Sequence, residues 1–145
     1  LTAYQTMLHE YGSMKEYIRR NATTGIEAIE ALCLFFAQHG ADKIIPKNTT
    51  SACKRVCMFL RWMVRTGSPV DLGLWADIID RRTLIMPLDT HVVQEAQRMN
   101  LLQSRTASMS TARRLTDTML KIFPDDPLKG DFALFGLGVD EENES

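Results

Sequence analysis

The stretch TGIEAIEALCLFFAQHG, residues 24 to 40, limits the fold more than any other part of the chain. Thr24 and Glu27 form a capping-box pattern, Ile26, Ile29, Leu32, Cys33 and Phe36 recur at helical spacing, and Gly40 supplies a stop. A helix with so wide an apolar stripe must bury it against other elements, and the remaining sequence offers helices rather than strands.

Leu1, Tyr4, Leu8 and Tyr11 share a helical face that Gly12 ends, and the Ser13/Glu16 pair opens a second short helix, SMKEYIRR. After the loop ADKIIPKNTT, a hydroxyl-rich N-cap leads into SACKRVCMFLRWMVRTG, with Val56, Phe59, Leu60 and Met63 on one side. A short helix is expected around LGLWADII. An extended link, TLIMPL, then delivers the chain to Asp89 and a helix carrying Val92, Val93, Ala96 and Met99. STARRLTDTMLKIF follows, and Asp126 with Pro127 begins a last helix running through DFALFGL. The expectation is an all-α, multi-helix bundle of about seven or eight helices.

A chain of 145 residues, 45% hydrophobic, can bury one sizeable core. No secretory pattern opens it, and charges interrupt every apolar run before bilayer length, so the expected protein is soluble, cytoplasmic and not membrane-bound. Cys33, Cys53 and Cys57 are an odd number with no second cluster, which reads as reduced core thiols rather than disulfides, and no metal site is expected. From Lys43 to Arg65 there are six cations (Lys43, Lys47, Lys54, Arg55, Arg61, Arg65) and no acid, whereas Asp140, Glu141, Glu142 and Glu144 load the terminus. Setting those four acids aside takes the net charge from −1 to +3. The division expected is a helical domain over residues 1–139 and an acidic, disordered tail over 140–145. The cations fit either a basic face or the solvated side of a helix.

Two short motifs decide between these. PLDTHVVQEAQRMNLL resembles the segment of the helix-hairpin-helix DNA glycosylase superfamily in which an apolar run ends in Asp, then Thr or Arg, then His, at a helix start. CKRVCMFLRWM resembles the oxoguanine-glycosylase branch, whose catalytic lysine opens a helix bearing a Phe-Leu-Arg triplet; here these are Lys54, Phe59, Leu60 and Arg61. Together with DFALFGLG, the motifs look like an uncharacterised bacterial family of glycosylase-like proteins and span residues 53 to 138. The resemblance implies a domain that is the C-terminal part of a longer chain, with Lys54 and Asp89 catalytic. It also implies DNA contacts from Lys47, Thr50, Ser51, Arg55 and Arg61, double-stranded DNA with a flipped damaged base as partner, and no cofactor. Two departures are visible. Thr50 and Ala52 stand where the superfamily's hairpin carries glycines, and TGSPVDLGLWADIIDRR looks like an insertion that sets Lys54 and Asp89 35 residues apart.

The chemistry explains the pair. Breaking an N-glycosidic bond develops positive charge on the sugar, which an ionised carboxylate stabilises. Asp89 before a helix is a capping residue whose charged form the free N–H groups and the helix dipole favour, so capping and catalysis are compatible. Lys54, if desolvated beside Arg55, would act as a nucleophilic amine forming a Schiff base. Arg61 has two readings, a phosphate contact or an ion pair. His91 reads as a helix-surface or packing residue, His9 and His39 show no partner pattern, and Trp62 and Trp75 read as core. The leading expectation is a base-excision glycosylase, possibly with lyase activity. The alternatives are a non-catalytic DNA-binding module and a helical protein-interaction domain.

Overall fold

The computed structural model describes residues 2–40, 51–103 and 106–129, and these are all-α: six α-helices, one short 3₁₀ turn and no strand beyond a single antiparallel bridge between Ser51 and Ser108. The helices are α1 (Ala3–Tyr11), α2 (Met14–Asn21), α3 (Gly25–Gln38), α4 (Lys54–Val64), α5 (Thr90–Arg98) and α6 (Met109–Ile122), with the 3₁₀ turn at Arg81–Thr83. Among the described residues no helix is long and apolar enough to cross a membrane.

Cap chemistry sets the early boundaries. The Thr24 hydroxyl accepts from Glu27 N while the Glu27 carboxylate accepts from Thr24 N, the reciprocal box expected for α3. Only half of the box forms at Ser13: its hydroxyl caps Glu16 N, but the Glu16 carboxylate turns to Arg19 and Arg20. These two guanidinium hydrogen bonds, Arg19's foremost, hold Glu16 down at about 2. Gly12, at φ 84°, ends α1 in a backbone region that glycine enters without penalty.

α3 is the hub, packing against α1, α2, α4 and the 3₁₀ turn. Ile29, Leu32, Cys33 and Phe35 are buried, and Tyr17 and Phe35 pack with ring planes tilted by 60° and centroids 5.0 Å apart. Gly25 lets the start of α3 approach the 3₁₀ turn, and its N–H bonds Thr83 Oγ1 at 2.9 Å. The link TLIMPL is extended, as expected, and runs through the interior with Leu84, Ile85, Met86 and Leu88 buried. Burying each such side chain is worth about 1.5–3 kcal/mol. The Met86 N–H finds Thr116 Oγ1 of α6 at 2.9 Å, so the backbone is satisfied where water cannot reach.

Several expectations are corrected. α1 buries Ala3 and Met7 while Tyr4 and Leu8 face outward, because the neighbouring helices cover the other side of α1. LGLWADII is not helical; turns around Gly73 and Trp75 replace the expected helix. Trp75 is core and meets Phe59 edge-on at 5.4 Å, but Trp62 is 40% exposed. Met99 is exposed beyond the end of α5. The Asp126 carboxylate binds Arg65 rather than capping a helix. The DFALFGL segment and the tail at 140–145 lie outside the described residues, as do Lys43, Lys47 and Thr50.

Residues 66 to 82, the segment read as an insertion, fold back on the C-terminal end of α4. The last carbonyls of a helix lack intrahelical donors. Here Leu72 N reaches Trp62 O at 2.7 Å and Trp75 N reaches Met63 O at 2.7 Å. This segment thus supplies donors to the last carbonyls of α4 beyond its C-cap Arg65, while Lys54 opens the same helix roughly 15 Å away at 1.5 Å per residue.

Candidate functional site

Two helix starts converge on one contact. The chain enters α4 through Ser51, which bridges to Ser108, then buried Ala52 and Cys53. The expected hydroxyl cap is absent: Cys53 is the N-cap, makes no side-chain cap hydrogen bond, and sits in the left-handed region at φ 51°. Its thiol donates to Ser51 O, and the Cys57 thiol to Ala52 O, each at 3.5 Å. The left-handed turn therefore falls on a non-glycine residue directly before Lys54.

The buried link ends at Asp89, the N-cap of α5. Each carboxylate oxygen has its own partner: Oδ1 accepts from Val92 N at 2.9 Å and Oδ2 accepts from Lys54 Nζ at 2.6 Å. Burial pushes the Asp89 carboxyl up, but the Lys54 hydrogen bond, the Val92 N–H and the charges of Lys54 and His91 outweigh it, so the group is held below its ordinary value of 3.8. The Lys54 side chain is 50% exposed and that of Asp89 36%, so both are open to a ligand.

The two residues read from the motifs are thus brought together across 35 positions. The desolvation invoked for Lys54 is absent, because its side chain is half-exposed and its closest charge is an opposite one. Arg55 and Ser51 are exposed beside the start of α4.

Arg61 is placed elsewhere. It is buried at 4% exposure with Nε 3.9 Å from Asp71, so the ion-pair reading holds and the DNA-contact reading is corrected. Arg65 is buried as well: Nε and Nη2 fork onto Asp126, Nη2 at 2.7 Å, and Nη1 bonds Asp71 at 3.0 Å. Sequence reasoning missed this network, although Cys57, Leu60, Arg61 and Val64 share one helical stripe and a cation there requires a buried partner. A basic face running from Lys43 to Arg65 is accordingly reduced, among the described residues, to Lys54 and Arg55.

A depression of about 510 Å³ lies by the insertion, lined by Thr23, Val64, Thr66, Asp77 and Arg81 among others, and neither Lys54 nor Asp89 lines it. Among the described residues no group of three or more His, Cys, Asp or Glu side chains is disposed to hold a metal ion.

No curated protein and no solved structure matches the chain. Residues 1–140 match the family described as "Protein of unknown function (DUF2400)", and the chain belongs to that family.

Proposed function

We propose that this chain carries the lysine and aspartate of a DNA base-excision glycosylase of helix-hairpin-helix type with lyase capacity, acting on duplex DNA from which a damaged base has been flipped. The 2.6 Å contact between Lys54 and Asp89 carries this reading: two residues singled out by separate motifs, 35 positions apart, meet at the starts of two helices with both side chains accessible. The all-α architecture is consistent with it.

A flipped nucleotide displaces Lys54 from Asp89. The half-exposed ammonium gives up a proton to water and the amine attacks the sugar C1′. The N–C1′ bond forms as the C1′–base bond breaks, and the departing base takes up a proton. The nitrogen then loses a proton, its lone pair expels O4′ as the C1′–O4′ bond breaks, O4′ takes up a proton, and an iminium is left on Lys54. Asp89, kept ionised by its cap hydrogen bond, stabilises the positive charge developing on the sugar. The base is reachable only outside the stack, hence the flip.

A second reading, a helical DNA-binding module without catalysis, is favoured by threonine at position 50 and alanine at position 52, where the superfamily's hairpin carries glycines. One experiment separates them. The full-length protein is incubated with duplexes bearing oxidised, alkylated or deaminated bases in the presence of borohydride. A covalent protein–DNA adduct that disappears in Lys54→Ala supports the first reading. Salt-sensitive binding with no base release and no adduct across the panel supports the second.

A further inference from the structure

Met86 stands three residues before Asp89 on the link that crosses the interior, and its N–H donates to Thr116 Oγ1 of α6 at 2.9 Å. The Thr116 hydroxyl gives its one proton to Ala112 O at 2.7 Å, so toward Met86 its oxygen can only accept. Both ends of this bond are sealed from water: Met86 is fully buried, and Thr116 lies in the buried stripe of α6 with Ala112, Leu115 and Met119. Among the described residues, the Met86 N–H is the one amide of residues 85–89 with a hydrogen-bond partner.

We propose that Thr116 is a positioning residue: its hydroxyl fixes the buried link lengthwise and so holds the Asp89 carboxylate against Lys54. The placement stands on this geometry; its meaning for catalysis rests on the function proposed above.

Apolar burial alone does not fix such a link along its length. The hydrophobic effect has no preferred direction, and a small slide of Leu84, Ile85, Met86 and Leu88 along the chain still keeps them out of water. A hydrogen bond does fix it, because its strength falls steeply once distance and angle leave their narrow range. Losing this one strands a buried N–H and incurs its full desolvation penalty. From that pin to the carboxylate the lever is short and stiff. The ring of Pro87 holds φ near about −65°, Leu88 is 2% exposed, and Asp89 follows as the N-cap of α5. At about 3.3 Å per extended residue, the pin lies roughly 10 Å from Asp89. A shift of the link is therefore carried into the Asp89 carboxylate and its 2.6 Å contact with Lys54. The bond from Val92 N lies within the first turn of α5 and travels with Asp89, so it does not resist the shift.

The test is a site-resolved carboxyl NMR titration of the full-length protein. Thr116→Val keeps the shape of the side chain and removes the acceptor, whereas Thr116→Ser keeps the acceptor and removes only a methyl group. Asp89 should titrate higher in Thr116→Val, toward its ordinary value of 3.8, because the carboxylate is no longer held against its lysine. In Thr116→Ser it should titrate as in the parent. Thr116→Cys puts a weak acceptor at the same place, should show the same upward move, and serves if the valine variant does not fold. On a duplex that the parent processes, single-turnover base release should fall by roughly 10²-fold in Thr116→Val and recover in Thr116→Ser. A purely structural threonine would lower the melting temperature of the variants and leave the Asp89 titration unmoved. That result, a serine variant that shifts Asp89 as far as valine does, or full-rate base release by Thr116→Val overturns the proposal. The titration needs no DNA, so an upward shift in a protein that releases no base sinks the enzyme reading without touching the placement of Asp89.

Discussion

Arg65 and Asp126, 61 residues apart in sequence, meet in the interior through a forked contact in which one guanidinium donates three hydrogen bonds to one carboxylate. Their side chains are 6% and 5% exposed. Removing Asp126 takes the partners from Nε and Nη2 in the interior and leaves the guanidinium only its Nη1 contact with Asp71 at 3.0 Å, which costs far more than the intact pair contributes. Asp126→Ala is expected to destabilise the fold by about 3–5 kcal/mol, read by urea denaturation. The double change Arg65→Met with Asp126→Leu removes both charges of the fork, leaves Asp71 to Arg61 at 3.9 Å, and should lie closer to the parent. Equal losses for the single and double variants would refute the buried-charge account.

Gly25→Ala is expected to destabilise, although alanine is the better helix former by about 1 kcal/mol. A Cβ at this position would run into the Thr83 carbonyl oxygen and lie 2.9 Å from Leu84 Cα, both backbone atoms that cannot swing aside. The penalty should fall at about 1–3 kcal/mol, the usual cost of overpacking. A variant as stable as the parent would mean that α3 and the 3₁₀ turn are less tightly joined than the Thr83 hydrogen bond implies.

At Asp89, capping can be separated from chemistry. Asparagine caps a helix nearly as well as aspartate, whereas alanine loses about 1 kcal/mol. Asp89→Asn should therefore melt close to the parent yet release a damaged base roughly 10²-fold more slowly, since the charge facing the sugar is gone. Unaltered base release in that variant would remove Asp89 from the reaction.

The pH dependence follows from the same carboxylate. The unfolded chain binds more protons than the folded one between the depressed folded value of Asp89 and its ordinary value of 3.8. The stabilisation is fully present above about pH 4 and is lost as pH falls through the folded value. Lys54→Gln should move the Asp89 titration upward and flatten this acid-side loss. A site-resolved titration identical in parent and variant would contradict the direct contact.

How much of this was legible in the sequence depends on the range of the interaction concerned. The caps at Ser13, Thr24 and Asp89 are local hydrogen bonds spanning three residues, and all three hydroxyl or carboxylate caps form, although the Ser13 box lacks its reciprocal Glu16 bond. The outward face of α1 was misread because Tyr4 and Leu8 pattern as well as Ala3 and Met7 do, and tertiary packing alone chooses between them. LGLWADII has helical spacing, but the N–H groups of Leu72, Gly73 and Trp75 go to the end of α4, and those of Ala76, Ile78 and Ile79 close turns within the segment rather than a helix. Arg61 and Arg65 looked like surface cations because their partners, Asp71 and Asp126, lie on segments whose approach no local pattern announces. Lys54 and Asp89 were identified through motifs, and their meeting depends on the buried link that carries the chain across the core.

That the insertion seals the far end of α4 has a consequence for kinship. What separates the amine from the acid in space is fixed by two helix starts, so the count of residues strung between them is free to drift. Trimming or enlarging that loop, provided something else still satisfies the end of the helix, leaves the Lys54–Asp89 contact untouched. A comparison that insists on a constant gap between the two motifs would then overlook proteins sharing the same pair.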